Sequence, residues 1–485
     1  MVALTGLTRG VLGGEPLRDD QLDRIHADAM TVLTDVGVEV HHDGALELLR
    51  SHGQRVDGTR VHLDPAFVLE QVGKAPSRFT LHSRNPARAV TIGGGSRACT
   101  HSGGSPFVSD LERGRREGTL ADHLEIIRLA QAADGLSIVQ CGGTEAQELP
   151  ETSRHLDMEY HCLRWSDKPY VSYGTSGPKA RDGIELAALA FGGRQAIAER
   201  PVLLGVVNPN SPLVWDELMV DALLAWAEAR QPVLVTPFLL AGATAPVSVA
   251  GGLALLVAEA LSGVTLIQLV APGAPAVFGS FFSAIDMRSG GPAFGTPEFV
   301  LGTLAGGQLA RRYGLPFRGG GGLCTSNAVD AQAASETAMA LWATFLSGAD
   351  MVMHAAGWLE GGLVTSFEKL ALDLELLRMF DWLEAGIEVD DEHVALDAIR
   401  EVGPGGMFLA SGHTLEHFRE WSFMSPMFRA QAYPTWQKLG SPRADETAVH
   451  VWRALRDRYV DPGLDPATDE ALQAFIARRK LELGD

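Results

Sequence analysis

PVLLGVVNPNSPLVWDELMVDALLAWAEARQPVLVTPFLLAG (201–242) contains one complete folding unit. An apolar run, PVLLGVVNPN (201–210), ends in Asn-Pro-Asn. An amphipathic stretch follows, LVWDELMVDALLAWAEA, and then a second apolar run, PVLVTPFLLAG (232–242). Short β-rich runs separated by helix-period stretches mean parallel strands joined by crossover helices. Upstream, the alternation recurs in RACTHSGG (97–104), SIVQCGGT (137–144) and PYVSYGTSG (169–177). Downstream it recurs in VTLIQLVAPG (264–273), PFRGGGG (316–322) and ADMVMHAAGWLEGG (349–362). The intervening stretches, such as TLADHLEIIRLAQAA, PVSVAGGLALLVAEALSG and DAQAASETAMALWATFLSG, have helical spacing. Eight such units predict an α/β fold, a closed (β/α)8 TIM barrel over residues 89–385. An open doubly wound sheet would need a glycine fingerprint after its first strand, and THSGGSPF has no G-x-G-x-x-G.

The flanks read differently. Residues 1–88 predict a mainly helical N-terminal extension, with amphipathic spacing at Leu22, Ile25, Ala29, Met30 and Leu33. Residues 386–485 predict a C-terminal helical extension that ends in ALQAFIARRKLEL, its basic residues placed as a helix C-terminus prefers. At 485 residues the chain is too long for one core of ordinary size, and 46% hydrophobic against 21% charged residues excludes disorder. The formal charge is −20, from 40 basic and 60 acidic residues, which repels nucleic-acid phosphates. The four cysteines, Cys99, Cys141, Cys162 and Cys324, form no Cys-x-x-Cys and read as reduced thiols. The first residues, MVALTGLTRGVLGG, lack a basic-then-apolar leader pattern, and no apolar run reaches the ~18 residues of a membrane span. A cytoplasmic protein with no membrane contact is the expectation.

In a barrel, the C-terminal ends of all eight strands meet at one rim, where barrel active sites lie. Those ends here carry polar or glycine residues: His101, Cys141, Tyr173, Asn208, Thr236, Gln268, Arg318 and His354, with Trp358 shortly beyond. One glycine pair is most simply a strand-ending turn, but eight ends sharing one mouth point to an enzyme. Cys99, His101, Cys141 and Cys324 could in principle form a zinc site at that rim, the less favoured reading; no tightly bound metal is expected.

The runs APVSVAGGLALLVAEALSGVTLIQLVAPGAPAVFGS, TSNAVDAQAASETAMAL and HAAGWLEGGLVTSFEKLALDLELL resemble the trimethylamine methyltransferase family. DLERGRREGTLADHLEIIRLA and REVGPGGMFLASGHTLEHFRE extend the resemblance over nearly the whole chain, toward the non-pyrrolysine branch that includes glycine betaine methyltransferase. The resemblance implies a TIM barrel that moves a methyl group from an amine to the cobalt of a corrinoid (cobalamin) carried on a partner protein. Only the twenty standard residues occur, whereas the founding trimethylamine enzymes carry pyrrolysine, and Asn327 stands where relatives commonly have Lys.

Displacement at a methyl carbon by Co(I) expels the nitrogen. From trimethylamine that leaving group is an amide anion unless it is protonated or captured. From a quaternary ammonium it is a neutral amine, and no general acid is needed. A quaternary amine similar to glycine betaine is therefore the expected substrate. Aromatic faces stabilise such a cation by ~0.5–2 kcal/mol each, and the candidates are Trp358, Phe238, Tyr173 and Phe281. Arg318 is the candidate for the betaine carboxylate, assisted by backbone N–H groups of Gly319 to Gly322, Gly320 among them. The simpler alternative for Arg318 is an ion pair with the acidic helices. His354 and His101 are the candidate catalytic residues, able to hydrogen-bond the carboxylate or the departing amine. Asn208 and Gln268 are candidate orienting groups, and Asp330 and Glu336 read first as helix-dipole partners. Two alternatives are a barrel enzyme acting on a phosphorylated substrate held by the Arg318 glycine loop, and a non-catalytic betaine-binding protein. The chain is also expected to form a homo-oligomer.

Overall fold

Eight short, mostly buried runs pair in parallel into a ring: β1 (Ala98–His101), β2 (Val139–Gln140), β3 (Tyr170–Val171), β4 (Leu203–Val207), β5 (Val233–Val235), β6 (Ala276–Gly279), β7 (Phe317–Gly320) and β8 (Met351–Ala356). The register runs Tyr170 to Leu203, Gly205 to Val233, Val233 to Ala276, Phe278 to Phe317, Arg318 to Met351 and Met351 to Ala98. The ring closes through a parallel bridge between Thr100 and Ile138. This is a computed structural model, and it describes residues 14–485. The N-terminal residues 1–13, read as part of the helical extension, lie outside the described residues.

Each strand is followed by a helix: α1 (Leu120–Ala132), α2 (Arg154–Trp165), α3 (Gly177–Phe191), α4 (Glu217–Glu228), α5 (Val249–Val270), α6 (Pro297–Arg312), α7 (Ala331–Leu346) and α8 (Phe367–Glu384). Thr119, Asp216, Ser248, Asp330 and Ser366 cap α1, α4, α5, α7 and α8 by accepting from backbone N–H groups of the first turn. Each such cap is worth ~1 kcal/mol and fixes where the chain turns down from the rim.

Strand six is not where the sequence reading put it. VTLIQLVAPG belongs to the C-terminal half of the 22-residue α5, and β6 is the following AVFG. Helix α5 is buried on all sides, so its apolar residues show no stripe, and the β-branched run at 264–267 imitated a strand. By length and composition α5 could cross a membrane, but 89% of its most apolar window is buried. It packs between α4 and α6, with Asp19–Thr31 and Pro65–Val72 outside it. Gln268 therefore lies in a helix and not at the rim. Its Nε2 donates to Ala274 O (2.8 Å) and its Oε1 accepts from Gly273 N (2.8 Å), which staples the α5 C-terminus.

The N-terminal segment is less helical than expected. Helices Asp19–Thr31, Asp43–Ser51 and Pro65–Val72 alternate with strands Val38–Val40, Arg55–Asp57 and Arg60–His62. These strands form a small sheet with Val214–Trp215, from the loop after β4. A hairpin of Phe79–Leu81 against Val90–Ile92 plugs the bottom of the barrel. Phe79, Leu81 and Ile92 pack there on Ala98, Ile138, Val171, Leu204, Leu234, Val277 and Met351. With that end sealed by side chains, the cavity opens only toward the rim. In the C-terminal segment, helix Ala444–Asp457 packs along α8, and helix Pro466–Leu483 contacts α2 and α3.

Candidate active site

A cavity of about 640 Å³ opens at the C-terminal ends of the strands. Gln140, Val206, Thr236, Arg318, Met353 and His354 line it from the strands and their ends, with Tyr173, Asn208, Phe238 and Phe281 just beyond. Seven of the residues singled out in the sequence thus share one space: Tyr173, Asn208, Thr236, Phe238, Phe281, Arg318 and His354.

Arg318 is 1% exposed and is the deepest charge in the cavity. Its neighbours alternate outward, so Phe317 joins the core behind the barrel while Arg318 points inward. Its Nη1 donates to Ser280 O (3.1 Å), and its guanidinium lies over the Phe281 ring, 4.8 Å from the centroid. Nε has no partner, and among the described residues Arg318 makes no salt bridge, so the ion-pair alternative fails. Burial alone pushes its pKa down to about 9. A buried cation without a counter-charge is costly, and an anion from outside would relieve that cost.

His354 adopts a left-handed backbone (φ 60°) where the pairing of β8 with β1 shifts register. Non-glycine residues at such angles are held by their surroundings and concentrate at functional sites. The kink turns both Met353 and His354 toward the cavity, which strict strand alternation would forbid. Burial, then the Arg318 charge, then His101 hold the His354 pKa well below its ordinary value, so the ring is neutral. Gln140 Nε2 lies 3.4 Å from its Nδ1. That amide gives its two protons at shorter range, to Thr100 Oγ1 (2.7 Å) and to His101 O.

The Phe281 and Phe238 rings lie 4.8 Å apart between centroids, tilted by 33°. Tyr173 donates its hydroxyl to Glu145 (2.6 Å), which also accepts from Arg154 (3.2 Å). The Tyr173 backbone N–H donates to Glu159 Oε1 (2.7 Å), a buried carboxyl that also accepts from Ser172 (2.5 Å). Asn208 is held by donation to Thr236 O (2.7 Å). The following loop is fixed by Glu259 of α5, which accepts from Ser211 Oγ and Leu213 N, both at 2.7 Å. Burial raises the Glu259 pKa to about 7.

The remaining candidates lie outside the cavity lining. His101 is buried behind it, with Nδ1 bonded to Ser102 O (2.7 Å) and Nε2 accepting from Gln140 N–H (2.9 Å). Both ring nitrogens are occupied, so His101 positions Gln140 and meets no ligand. Burial takes its pKa down to about 4. Trp358 forms a second layer, edge-on to His354 at 4.4 Å and to Phe281 at 6.2 Å. Gly320 faces the helices: a Cβ there would lie 2.8 Å from Leu323 and 2.9 Å from Phe299. Its neighbours behave alike, since a Cβ on Gly319 would meet Thr344 and one on Gly321 would meet the β8 backbone. Gly322 N–H donates to His354 O (2.9 Å), so the glycine run lets β7 and β8 pack tightly and forms no phosphate cradle. Asn327 is exposed in the loop before α7. Asp330 caps α7 as its position suggested, whereas Glu336 lies beyond the first turn and accepts from Thr325 N (2.6 Å) in the preceding loop. Cys141 donates its thiol toward Glu159 (3.4 Å) and Cys324 toward Trp358 O (3.0 Å), on different walls.

Sequence reading missed the supporting charges. Lys369 and Asp373 of α8 are both fully buried, with Nζ 2.5 Å from Oδ1. Lys369 also donates to Thr337 Oγ1 (2.8 Å) and Gly322 O (3.3 Å), and Asp373 accepts from Gly357 N (2.9 Å). The pair ties the outlets of β7 and β8 together. Their i,i+4 spacing was visible, but it reads as a surface pair without the tertiary structure.

The profile of the trimethylamine methyltransferase family matches residues 2–484. The chain belongs to this family. Among its members, the glycine betaine methyltransferase of Desulfitobacterium hafniense is 40% identical over 471 residues, 97% of this chain and 98% of that one. The proline betaine:corrinoid methyltransferase of Eubacterium limosum is 30% identical, covering 95% and 96% of the two chains. Among solved structures, the Methanosarcina barkeri monomethylamine methyltransferase superposes with a TM-score of 0.53 at 11% identity, over 93% of this chain and 89% of that one, a likeness of fold alone.

Proposed function

We propose that this chain transfers a methyl group from a quaternary amine of the glycine betaine type to the Co(I) of a corrinoid carried by a separate protein. The observation that carries this reading is Arg318, a buried guanidinium without a carboxylate partner, deep in a cavity whose lining also includes the rings of Phe238 and Phe281. A zwitterion matches both features. Its carboxylate accepts from Arg318, and its ammonium rests against aromatic faces nearer the mouth. Phe281 lies two residues beyond Gly279, the register partner of Arg318, so its backbone stands about 7 Å closer to the rim. The ammonium methyl groups then point outward.

The corrinoid supplies the nucleophile, arriving through the open rim. The chain's own residues bind, align and desolvate the amine, and such positioning supplies much of a rate enhancement. His354, neutral in this site, can donate its ring N–H to the substrate carboxylate but is a poor acid. That suits a reaction whose leaving group is already a neutral tertiary amine. The relatives named for betaines support the same class of substrate.

The test is incubation of the purified chain with glycine betaine and cob(I)alamin under anoxic conditions, following methylcobalamin by absorbance and dimethylglycine by mass spectrometry. Transfer is expected. No methyl transfer from any betaine or tertiary amine, with Co(I) verified as active, would overturn the proposal.

A further inference from the structure

One surface of the chain has no counterpart in the catalytic reading. Of the 30 large apolar side chains that stand exposed among the described residues, 14 fall within 387–439. Leu409 is 74% exposed, Met407 72% and Ile387 91%. The segment has almost no core of its own, since within 386–440 only Ala398, Ser411 and Met427 are buried. Toward the same end, α7 carries an exposed stripe of Met339, Trp342 and Leu346, spaced i, i+3, i+7, of which Trp342 also meets Phe380 of α8 at 4.9 Å.

The place of this surface in the barrel narrows the choice of partner. Helix α8 begins at the rim and ends at Glu384, which pairs with Arg97 just before β1, at the sealed end. The segment leaves from there. It returns at the same end, where Arg378 of α8 donates to Met424 O (2.6 Å) and Trp382 meets Phe423 at 5.9 Å. Arg97 also donates to Phe345 O (3.4 Å), which puts the α7 stripe at that end as well. A corrinoid carrier has to reach the opposite end.

At roughly 80 Å² for each exposed side chain, the segment presents about 1,100 Å² of apolar surface, beyond the ~800 Å² per partner of a standard interface. Monomers rarely expose contiguous apolar patches beyond a few hundred Å². We infer that the segment 387–439 and the outward face of α7 form the interface of a homodimer, occupied by a second copy of this chain about a two-fold axis. Only another copy is present wherever the chain is, and a two-fold interface places the same patch on both partners.

Two measurements on the full chain test this. Sedimentation equilibrium from about 0.1 to 50 μM is expected to give twice the chain mass of 51.8 kDa. Leu409→Asp and, separately, Trp342→Glu are expected to weaken association at least thirtyfold, with unchanged far-UV circular dichroism. Hydroxyl-radical footprinting of the wild type needs no variant and serves if either variant misfolds. Met407 and Met287 are similarly exposed in the single chain (72% and 79%), and Met287 lies by the cavity mouth, near Gly242. Met407 is expected to oxidise at least tenfold more slowly than Met287. Equal oxidation rates, a mass of 51.8 kDa throughout, folded variants that remain dimeric, or a mass that rises only on adding a corrinoid protein would each overturn the inference.

Discussion

Replacing Arg318 by Met tests the anion-reading role directly. The side chain spends one donor on Ser280 O and leaves Nε without a partner, so the guanidinium edge is free for a bidentate carboxylate. Hydrogen bonds to charged groups contribute ~1.5–3 kcal/mol each, and two of them give ~3–6 kcal/mol before the lost solvation of both ions is counted. A net loss of ~3 kcal/mol weakens glycine betaine binding by roughly 150-fold. Choline carries the same trimethylammonium head without the anion, so its affinity should change little, or improve as a repelling charge is removed. Arg318→Lys keeps the charge but not the fork and should fall between. Titration calorimetry with both ligands reads the ratio. A guanidinium keeps its proton over the whole accessible pH range, so wild-type affinity for betaine should be level from about pH 6 to pH 9. The unliganded Met variant should also be the more stable protein, because an unpaired buried charge has been removed. If Arg318→Met binds betaine within threefold of wild type, or if betaine and choline weaken equally, Arg318 does not read a carboxylate.

Three further perturbations rest on the same geometry. Glu259, raised from 4.5 to about 7, gives stability that is complete below pH 4.5 and lost as the pH climbs through 7; Glu259→Gln keeps the contacts without the charge. The unfolding free energy of the variant minus that of wild type should therefore grow by about 3 kcal/mol between pH 4.5 and pH 8 in urea titrations; a constant difference would remove the argument. His354→Asn tolerates the left-handed backbone and should stay within about 1 kcal/mol of wild type, whereas β-branched His354→Val should cost ~1–2 kcal/mol more, with methyl transfer reduced in both. Lys369→Met strands the Asp373 charge in the core and should cost ~3–5 kcal/mol at pH 8, measured by chemical denaturation. The loss should shrink at pH 5, because Asp373, at about 6 even beside Lys369, then takes a proton.

Much of the barrel was legible because its strands announce themselves by their length and by the helical stretch that succeeds each one. PVLLGVVNPN and PVLVTPFLLAG are short, β-branched and closed by turn residues, and the stretch after the first carries a helical stripe. Seven of the eight strands carry this signature. The sixth was lost because α5 has no stripe: residues 249–270 meet protein on every side, and periodicity reports burial on one face only. The small N-terminal sheet was missed for another reason. Its strands are three residues long and one pairs with Val214–Trp215, more than 150 residues away, so no local pattern marks it.

The site was legible as an address and not as an orientation. A residue at a strand end reaches the rim, but whether its side chain enters the cavity depends on the pleat, and one residue of slip exchanges inside for outside. Arg318 and Gly319 are successive on one strand, and a side chain at 319 would meet Thr344 in the helix layer. His354 enters beside Met353 only because its backbone breaks the alternation, a departure that no pattern of apolar and polar residues encodes. Charges on the helices were harder still. Lys369, Asp373 and Glu259 sit at positions that read as solvated helix faces until the rim loops are folded over them. Their burial has a definable task, since each ends on a backbone group of a loop that follows a strand: Gly322 O, Gly357 N and Leu213 N. Loops crowded with glycine and proline have little stiffness of their own. Here the stiffness comes from ions held in the layer behind, which is why the substitutions that loosen this cavity should include helix residues far from any ligand.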